Sequence, residues 1–397
     1  MSGPADPRVM HVILDLERGG AQETLCVLAE ANGAAGDGFL VCALADGPLR
    51  ARLEAAGASV EIVRGPSCRF SRVFRYLAEL RRIGAQLAAL VDRHRINVIQ
   101  THLLNFLDVV VIRLRHASHG PVVMWTFHGP DFLPGRPGPT LWARRIVCRW
   151  MYRATAARVD AIVSVSEDIR RVLIAALGRM NGKIRVIANA PSPRKCASAW
   201  PRDVVRAELG MPPGAGVVLF VGRLAAEKGC DYLIEAAPIV SAGAPDAVFL
   251  VAGSGPAEAA LKALAERAGV ANRVRFLGAR DDVADLLAAA DVFCLPSRQE
   301  GMSLALLEAM SAGKAVVVSD IAANREVVEH GKTGLLVWPG DAAALGGALV
   351  HILTHPDAAQ AMGRAARART LAGYGATKQR EAYARLYREL LAARTRE

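Results

Sequence analysis

The chain has 397 residues, too many for one ordinary hydrophobic core, and its length predicts two domains. Hydrophobic residues make up 52% and charged residues 22%, a globular balance that excludes wholesale disorder; 36 Gly and 20 Pro in no fixed period exclude a collagen-like chain. The formal net charge of +11 lies in the front half, where residues 1–198 carry 27 Lys and Arg against 16 Asp and Glu, while residues 199–397 carry 22 of each sign.

A positive field over one half concentrates anionic partners. Nucleic acid, an anionic membrane surface and a phosphorylated substrate all fit, and so does an arginine-rich solvated face. No RNP, KH or helix-turn-helix pattern accompanies the charge, so no nucleic-acid partner is expected. No uncharged apolar run reaches a membrane-spanning length; Val109–Ile112 is stopped at once by Arg113. The opening stretch lacks the basic front and long apolar region of a secretory leader. Seven scattered Cys with no C-x-x-C predict free thiols in a reducing, cytoplasmic setting. His11, His94, His102, His116 and His119 show no metal-ligand spacing, and no catalytic metal or cofactor is expected.

In chain order, short β-branched runs alternate with longer amphipathic stretches. Strands are predicted at Val9–Leu14, Phe39–Leu44, Ser59–Val63, Asn97–Thr101, Val122–Phe127, Asp160–Val165 and Ile184–Ile187, with helices at 21–33, 49–56, 71–93, 105–116, 141–157 and 167–176. The theme restarts with Gly216–Val221, Ala247–Ala252, Val274–Leu277, Val292–Leu295, Ala315–Ser319 and Leu335–Val337. Continuously apolar strands alternating with helices predict an α/β chain with two Rossmann-like parallel sheets, each wrapped on both faces. A Pro-dense connection from Ala190 to Gly216, with a short helix near 203–209, separates an N-terminal domain (1–192) from a C-terminal one (193–375). The tail, 376–397, carries a helix with Tyr383, Leu386, Tyr387 and Leu390 on one stripe, able to pack back on the first domain. The ligand site is expected in a cleft at the carboxyl ends of the strands.

The most informative stretch follows the strand Val292–Leu295. It places Glu300 in a loop, turns at Gly301, and opens a helix near Ser303 that carries Glu308. Exposed N–H groups of Met302, Ser303 and Leu304 would form an anion site. The carboxylates of Glu300 and Glu308 can each accept hydrogen bonds from sugar hydroxyls. A phosphorylated sugar satisfies both features; an N-terminal charge on the helix dipole and a solvated helix residue satisfy them more simply. After the strand Val217–Val221 come Arg223 and Lys228, two cations suited to a diphosphate.

The pair Glu300 and Glu308, preceded by Val221-Gly222-Arg223-Leu224-Ala225-Ala226-Glu227-Lys228-Gly229, resembles the retaining family 4 glycosyltransferases of the GT-B fold. Leu250–Pro256, Val274–Gly278, Ser319-Asp320 leading to Glu326, and Gly334–Val337 extend the resemblance, as do Arg18–Gln22 and Thr126–Gly129 at the front. It implies transfer of a hexose-type sugar, with retention, from a nucleotide-diphosphate sugar to a glycan or lipid-linked acceptor. It further implies that Arg223 and Lys228 bind the diphosphate and that N–H groups at Gly301–Leu304 cap the distal phosphate. Glu308 would hold the ribose and Glu300 the hexose; Gly253 and Gly255 would flank the base. Gly19 and Gly20 would let the front loop approach, and His128 would lie near the sugar. Glu300, His128, Arg223 and Lys228 are thus the catalytic candidates. Ser303, Ala315 and Asn189-Ala190 depart mildly from the family pattern.

Two other readings stay open. Gly253-Ser254-Gly255-Pro256-Ala257-Glu258 begins like a dinucleotide fingerprint but lacks its third Gly. A cleft protein that binds sugar nucleotides or anionic glycolipids without turnover would use the same residues. The basic stretches Arg69–Arg82 and Leu141–Arg153 set Arg145, Arg149 and Arg153 beside Trp142, Ile146 and Trp150; this suits either a core-facing helix or peripheral contact with the inner membrane face.

Overall fold

A computed structural model describes residues 6–33, 38–65, 73–102, 106–116, 120–129, 139–178, 180–212 and 214–394. The chain divides into two compact units: the segment up to Asn189 joined by the tail from Ala376, and the segment Ala190–Gly375.

Among the described residues the first unit holds seven parallel strands: β1 (Val9–Ile13), β2 (Phe39–Ala43), β3 (Ser59–Ile62), β4 (Val98–Thr101), β5 (Val122–Phe127), β6 (Ala161–Ser164) and β7 (Ile184–Val186), in the order β3-β2-β1-β4-β5-β6-β7. The second holds β8 (Val217–Val221), β9 (Val248–Ala252), β10 (Val274–Gly278), β11 (Val292–Leu295), β12 (Ala315–Ser319) and β13 (Leu335–Val337), in the order β10-β9-β8-β11-β12-β13. Each sheet is doubly wound: the chain runs outward in one direction, then returns to its first strand and runs outward in the other. The reversal points lie between β1 and β4 and between β8 and β11. A reversal opens a crevice at the carboxyl ends of the two strands that flank it. The central strands are buried along their length because helices cover both faces, which explains their uninterrupted apolar runs.

Local chemistry sets the helix ends. Gly33, at φ +68°, stops the helix Gly20–Asn32, since a left-handed residue cannot continue it. Ser166 caps Glu167–Leu177 by accepting a hydrogen bond from Ile169 N at 3.2 Å. The stretch 105–116 is not one helix: Phe106–Ile112 is α-helical, and Arg113–His116 tightens to a 3₁₀ turn. The linking segment carries a 3₁₀ turn at Pro193–Lys195 before the short helix Arg202–Glu208.

The tail helix Ala376–Arg394 belongs to the first unit. Tyr383, Leu386 and Tyr387 join a buried cluster with Val9, Val98, Val122 and Met124. Each such side chain contributes about 1.5–3 kcal/mol by leaving water. Two polar anchors add direction: Gln379 Nε2 donates to Ala188 O at 2.9 Å, and Tyr387 OH donates to the buried Gln100 Oε1.

Candidate functional site

In the second unit, β8 and β11 are neighbours at the reversal point, so the loops leaving their carboxyl ends meet. The loop after β8 runs through Arg223 into a 3₁₀ turn, Ala226–Lys228, and then the helix Cys230–Gly243. The loop after β11 runs through Ser297 and Glu300 into the helix Leu304–Ser311.

Lys228 and Glu300 meet across these loops. Lys228 Nζ donates to Glu300 Oε1 and Oε2, both at 2.8 Å, and Ser297 Oγ donates to Oε1 at 2.7 Å. Glu300 is buried and Lys228 largely so, which raises the weight of the pair above that of a surface ion pair. Arg223 differs: its side chain is 60% exposed and pairs with Glu227 on the same loop. Two cations thus stand at the carboxyl end of β8, one packed against the buried Glu300 carboxylate and one paired with Glu227 at the surface.

Arg298 fastens the two loops. Its guanidinium donates to Ala226 O at 2.6 Å and to both Asp231 oxygens at 2.9 and 2.6 Å, and it lies over the Tyr232 ring at 4.0 Å. Its own N–H donates to Glu227 O at 2.9 Å. Ser297 and Arg298 were not singled out in the sequence. Their only local signal is position, three and two residues before a loop glutamate, which gains meaning once β8 and β11 are known to be adjacent.

Ser303 caps the helix Leu304–Ser311, accepting from Leu306 N at 3.3 Å. The first N–H groups of a helix have no partner within it and carry the positive end of its dipole, so this start can hold an anion. Gly301, Met302 and Ser303 are buried, and Leu304 is half-buried. Glu308, one turn in, is 3% exposed and is not a solvated helix residue. The glycines serve close packing. A Cβ on Gly253, at φ +143°, would lie 1.9 Å from Gly222 O, and one on Gly255 would lie 2.4 Å from Leu224 O. The loops after β8 and β9 can touch only because these two positions lack side chains.

In the first unit, Gly19 precedes the helix that Gly20 opens. A Cβ on Gly19 would meet the Gln22 side chain at 2.4 Å, whereas one on Gly20 would meet nothing within 4 Å. His128 follows β5 and is half-buried, and its Nε2 lies 2.9 Å from His102 Nδ1. Burial alone lowers its imidazole to about 4, so the ring is neutral at physiological pH. That leaves it a hydrogen-bonding group, not a cation.

The helix Pro139–Thr155 turns Cys148 and Tyr152 into the core, while Ile146, Val147 and Trp150 are 48%, 51% and 72% exposed. Ile146 and Trp150 therefore do not face the core of their own unit. Arg149 sits on the same helix, its Nη2 donating to Ala175 O at 3.3 Å. Arg69 and Arg72 lie outside the described residues, as do the side chains of Arg75, Trp142 and Arg145. Among the described residues no group of three or more His, Cys, Asp or Glu is arranged to hold a metal, and no helix is long and apolar enough to cross a membrane.

Comparison with known proteins agrees with this architecture. Residues 18–193 match the family described as Glycosyltransferase Family 4, and residues 201–369 match that described as Glycosyl transferases group 1. The UDP-Gal:alpha-D-GlcNAc-diphosphoundecaprenol alpha-1,3-galactosyltransferase of Escherichia coli is 28% identical over 311 residues, 77% of this chain and 78% of that protein. The GDP-mannose-dependent monoacylated alpha-(1-6)-phosphatidylinositol monomannoside mannosyltransferase of Corynebacterium glutamicum is 31% identical over 263 residues, 64% of each. The crystal structure of Anabaena HepE in complex with UDP and glucose shares the fold, with a TM-score of 0.81 over 96% of this chain and 99% of that one at 22% identity. With one family matched by each half and the two doubly wound sheets in place, the chain belongs to the glycosyltransferases of the GT-B fold.

Proposed function

We propose that the chain is a retaining hexosyltransferase. It moves a hexose-type sugar from a nucleotide-diphosphate sugar to a hydroxyl of a glycan or lipid-linked acceptor, in assembly of a bacterial polysaccharide or glycolipid. The observation that carries this reading is the Lys228–Glu300 pair beside the start of the helix Leu304–Ser311.

A donor diphosphate competes with Glu300 for Lys228. Once Lys228 turns to phosphate, Glu300 is freed to accept from hexose hydroxyls. Arg223 swings from Glu227, and the N–H groups at Met302, Ser303 and Leu304 meet the distal phosphate. Glu308 holds the ribose, Gly253 and Gly255 leave room beside the base, and Gly19, Gly20 and His128 serve the transferred sugar. The leaving diphosphate gains charge as the glycosidic bond breaks, so cations and helix N–H groups stabilise the transition state more than the ground state. The reading calls for no metal or other cofactor.

The two relatives above are described with UDP-Gal and with GDP-mannose, so a donor screen should span both bases. The test is a time course with UDP-, GDP- and ADP-sugars, with the anomeric configuration of the product read by NMR. Glu308→Ala is expected to lose turnover by orders of magnitude while keeping its fold; wild-type rates would overturn the assignment. Donor binding without turnover by any acceptor would favour a non-catalytic binding protein, and an inverted product would remove retention.

The acceptor side includes an anionic membrane surface on the cytoplasmic face. Its support is the exposed Ile146, Val147 and Trp150 beside Arg149. Each Arg near an anionic leaflet adds about 1 kcal/mol. Trp150→Ser should reduce co-sedimentation with phosphatidylglycerol vesicles; absence of wild-type binding at both low and high salt would end the idea.

A further inference from the structure

Three histidines of the first unit form a continuous chain of contacts that the family matches do not assign. His11 Nδ1 lies 3.2 Å from His102 Nε2, and His102 Nδ1 lies 2.9 Å from His128 Nε2. Topology brings them together. His11 is in β1, His102 follows β4 with its N–H donating to Val12 O at 2.9 Å, and His128 follows β5; these three strands are adjacent. The two end nitrogens, His11 Nε2 and His128 Nδ1, are buried and have no hydrogen-bond partner among the described residues.

Proton counting restricts this chain. A neutral imidazole has one N–H and one lone pair. Each internal contact must set an N–H against a lone pair, so three neutral rings must all carry the proton on the same nitrogen, either Nδ1 or Nε2. A protonated central ring could donate to both neighbours, but His102 is 3% exposed and has no carboxylate bonded to it among the described residues. Burial and the two neighbouring imidazoles hold its pKa well below the ordinary histidine value.

The environment chooses between the two neutral arrangements. A buried N–H without an acceptor is rarer and costlier than a buried lone pair. Both end nitrogens are buried, but His11 is 1% exposed as a whole residue and lies against the Phe39 ring, centroids 4.4 Å apart, whereas His128 follows β5 and is only half-buried, so of the two nitrogens His128 Nδ1 alone lies on a residue that reaches the surface. The unpaired N–H therefore belongs at His128 and the unpaired lone pair at His11. We propose that His11 and His102 are positioning residues that lock His128 in its Nδ1–H tautomer, so that it presents one hydrogen-bond donor, and no base, to an oxygen of a ligand. That this oxygen belongs to a sugar rests on the proposed function; the tautomer is a property of the unliganded chain.

The test is a long-range ¹H–¹⁵N spectrum of the full chain labelled at histidine, recorded near pH 7.5 without donor and assigned with single His variants. All three rings should appear as pure Nδ1–H tautomers; an Nε2–H, mixed or protonated ring among them overturns the proposal. In His102→Leu, His128 should become a mixture of tautomers, and turnover should fall about tenfold with the KM for the nucleotide sugar nearly unchanged. His102→Gln, which offers an amide N–H on one side and a carbonyl on the other, should restore much of both. A His128 that stays purely Nδ1–H in a folded His102→Leu overturns the lock. If His102→Leu fails to fold, the wild-type spectrum decides alone. Expected tautomers with unchanged turnover would leave the lock standing and remove the substrate role of His128.

Discussion

Gly229 passes so close to Pro296 that a Cβ on it would lie 1.9 Å from the Pro296 carbonyl oxygen. It also holds φ +64°, a conformation that costs a side-chain-bearing residue about 1–2 kcal/mol. This contact presses the loop that ends in Lys228 against the loop that carries Glu300. Gly229→Ala must both enter the left-handed region and push Pro296 away. We expect a loss of at least about 2 kcal/mol in urea unfolding, with the KM for donor raised as the cation shifts. Unchanged stability and KM would mean that the loops adapt and that their spacing does not matter.

The Lys228–Glu300 pair allows a sharper test through a double-mutant cycle. Among the described residues, Lys228→Ala leaves a buried carboxylate held by Ser297 Oγ alone, and removing one member of a buried pair costs about 3–5 kcal/mol at the deep limit. Lys228 is 23% exposed, so the expected loss lies nearer 2 kcal/mol. Glu300→Gln keeps the shape and removes the charge. In that background Lys228→Ala should cost less than about 1 kcal/mol, because no buried charge is stranded. Turnover should fall by orders of magnitude in both single variants. Additive stabilities in the double variant would show that the pair is not coupled.

What the sequence conveyed follows from how far each interaction reaches along the chain. Every predicted strand has its counterpart; the central ones read clearly because a parallel strand buried on both faces must be continuously apolar, as Val248–Ala252 and Val292–Leu295 are, whereas edge strands such as Ser59–Ile62 are exposed or half-buried and carry charge. Loop and helix chemistry written locally marks Glu300, Glu308, Arg223 and Lys228 as candidates, but only the family resemblance gives them roles. Pairing was not written there. Lys228 and Glu300 are 72 residues apart, and His11 and His102 are 91 apart. Strand order decides both meetings, and no periodicity carries strand order. Glu308 shows the same limit: the amphipathic pattern allowed a solvated carboxylate, yet the residue is 3% exposed. The 3₁₀ turn Ala226–Lys228 leaves no mark of its own in the sequence, because its Gly229 terminator also reads as an ordinary loop glycine.

The buried histidines give the stability a pH dependence of known sign. Burial lowers His11 to about 3 and His128 to about 4, against about 6.5 for an unfolded histidine. Below pH 6.5 the unfolded chain takes up protons that the native rings refuse, so the stabilisation is complete above that pH and declines as pH falls toward 4. The slope approaches 1.4 kcal/mol per pH unit for each such ring. Between pH 6 and 4.5 this effect precedes the protonation of most unfolded carboxylates. His11→Leu should therefore flatten the dependence of unfolding free energy on pH across that window, measured by urea titration. A variant as steep as wild type would mean that His11 is not held neutral.

The tail helix supplies the last prediction. Tyr387 OH donates to Gln100 Oε1, and Gln100 Nε2 donates to Thr126 Oγ at 2.7 Å, so a buried polar line runs from the tail to β4 and β5. Gln100 and Thr126 are fully buried and Tyr387 nearly so. Tyr387→Phe keeps the ring in its apolar cluster and removes only the donor, stranding part of the bonding capacity of Gln100 Oε1. An acceptor left unsatisfied inside a core costs about 1–3 kcal/mol. Gln100→Leu also removes a partner, but it takes both amide groups away together and leaves Thr126 and Tyr387 to find others. If the line acts as a unit, adding Tyr387→Phe to Gln100→Leu should cost less than about 0.5 kcal/mol, well below its cost in the wild-type chain. Equal costs in the two backgrounds would show that Tyr387 and Gln100 are not coupled and that this polar line does not hold the tail.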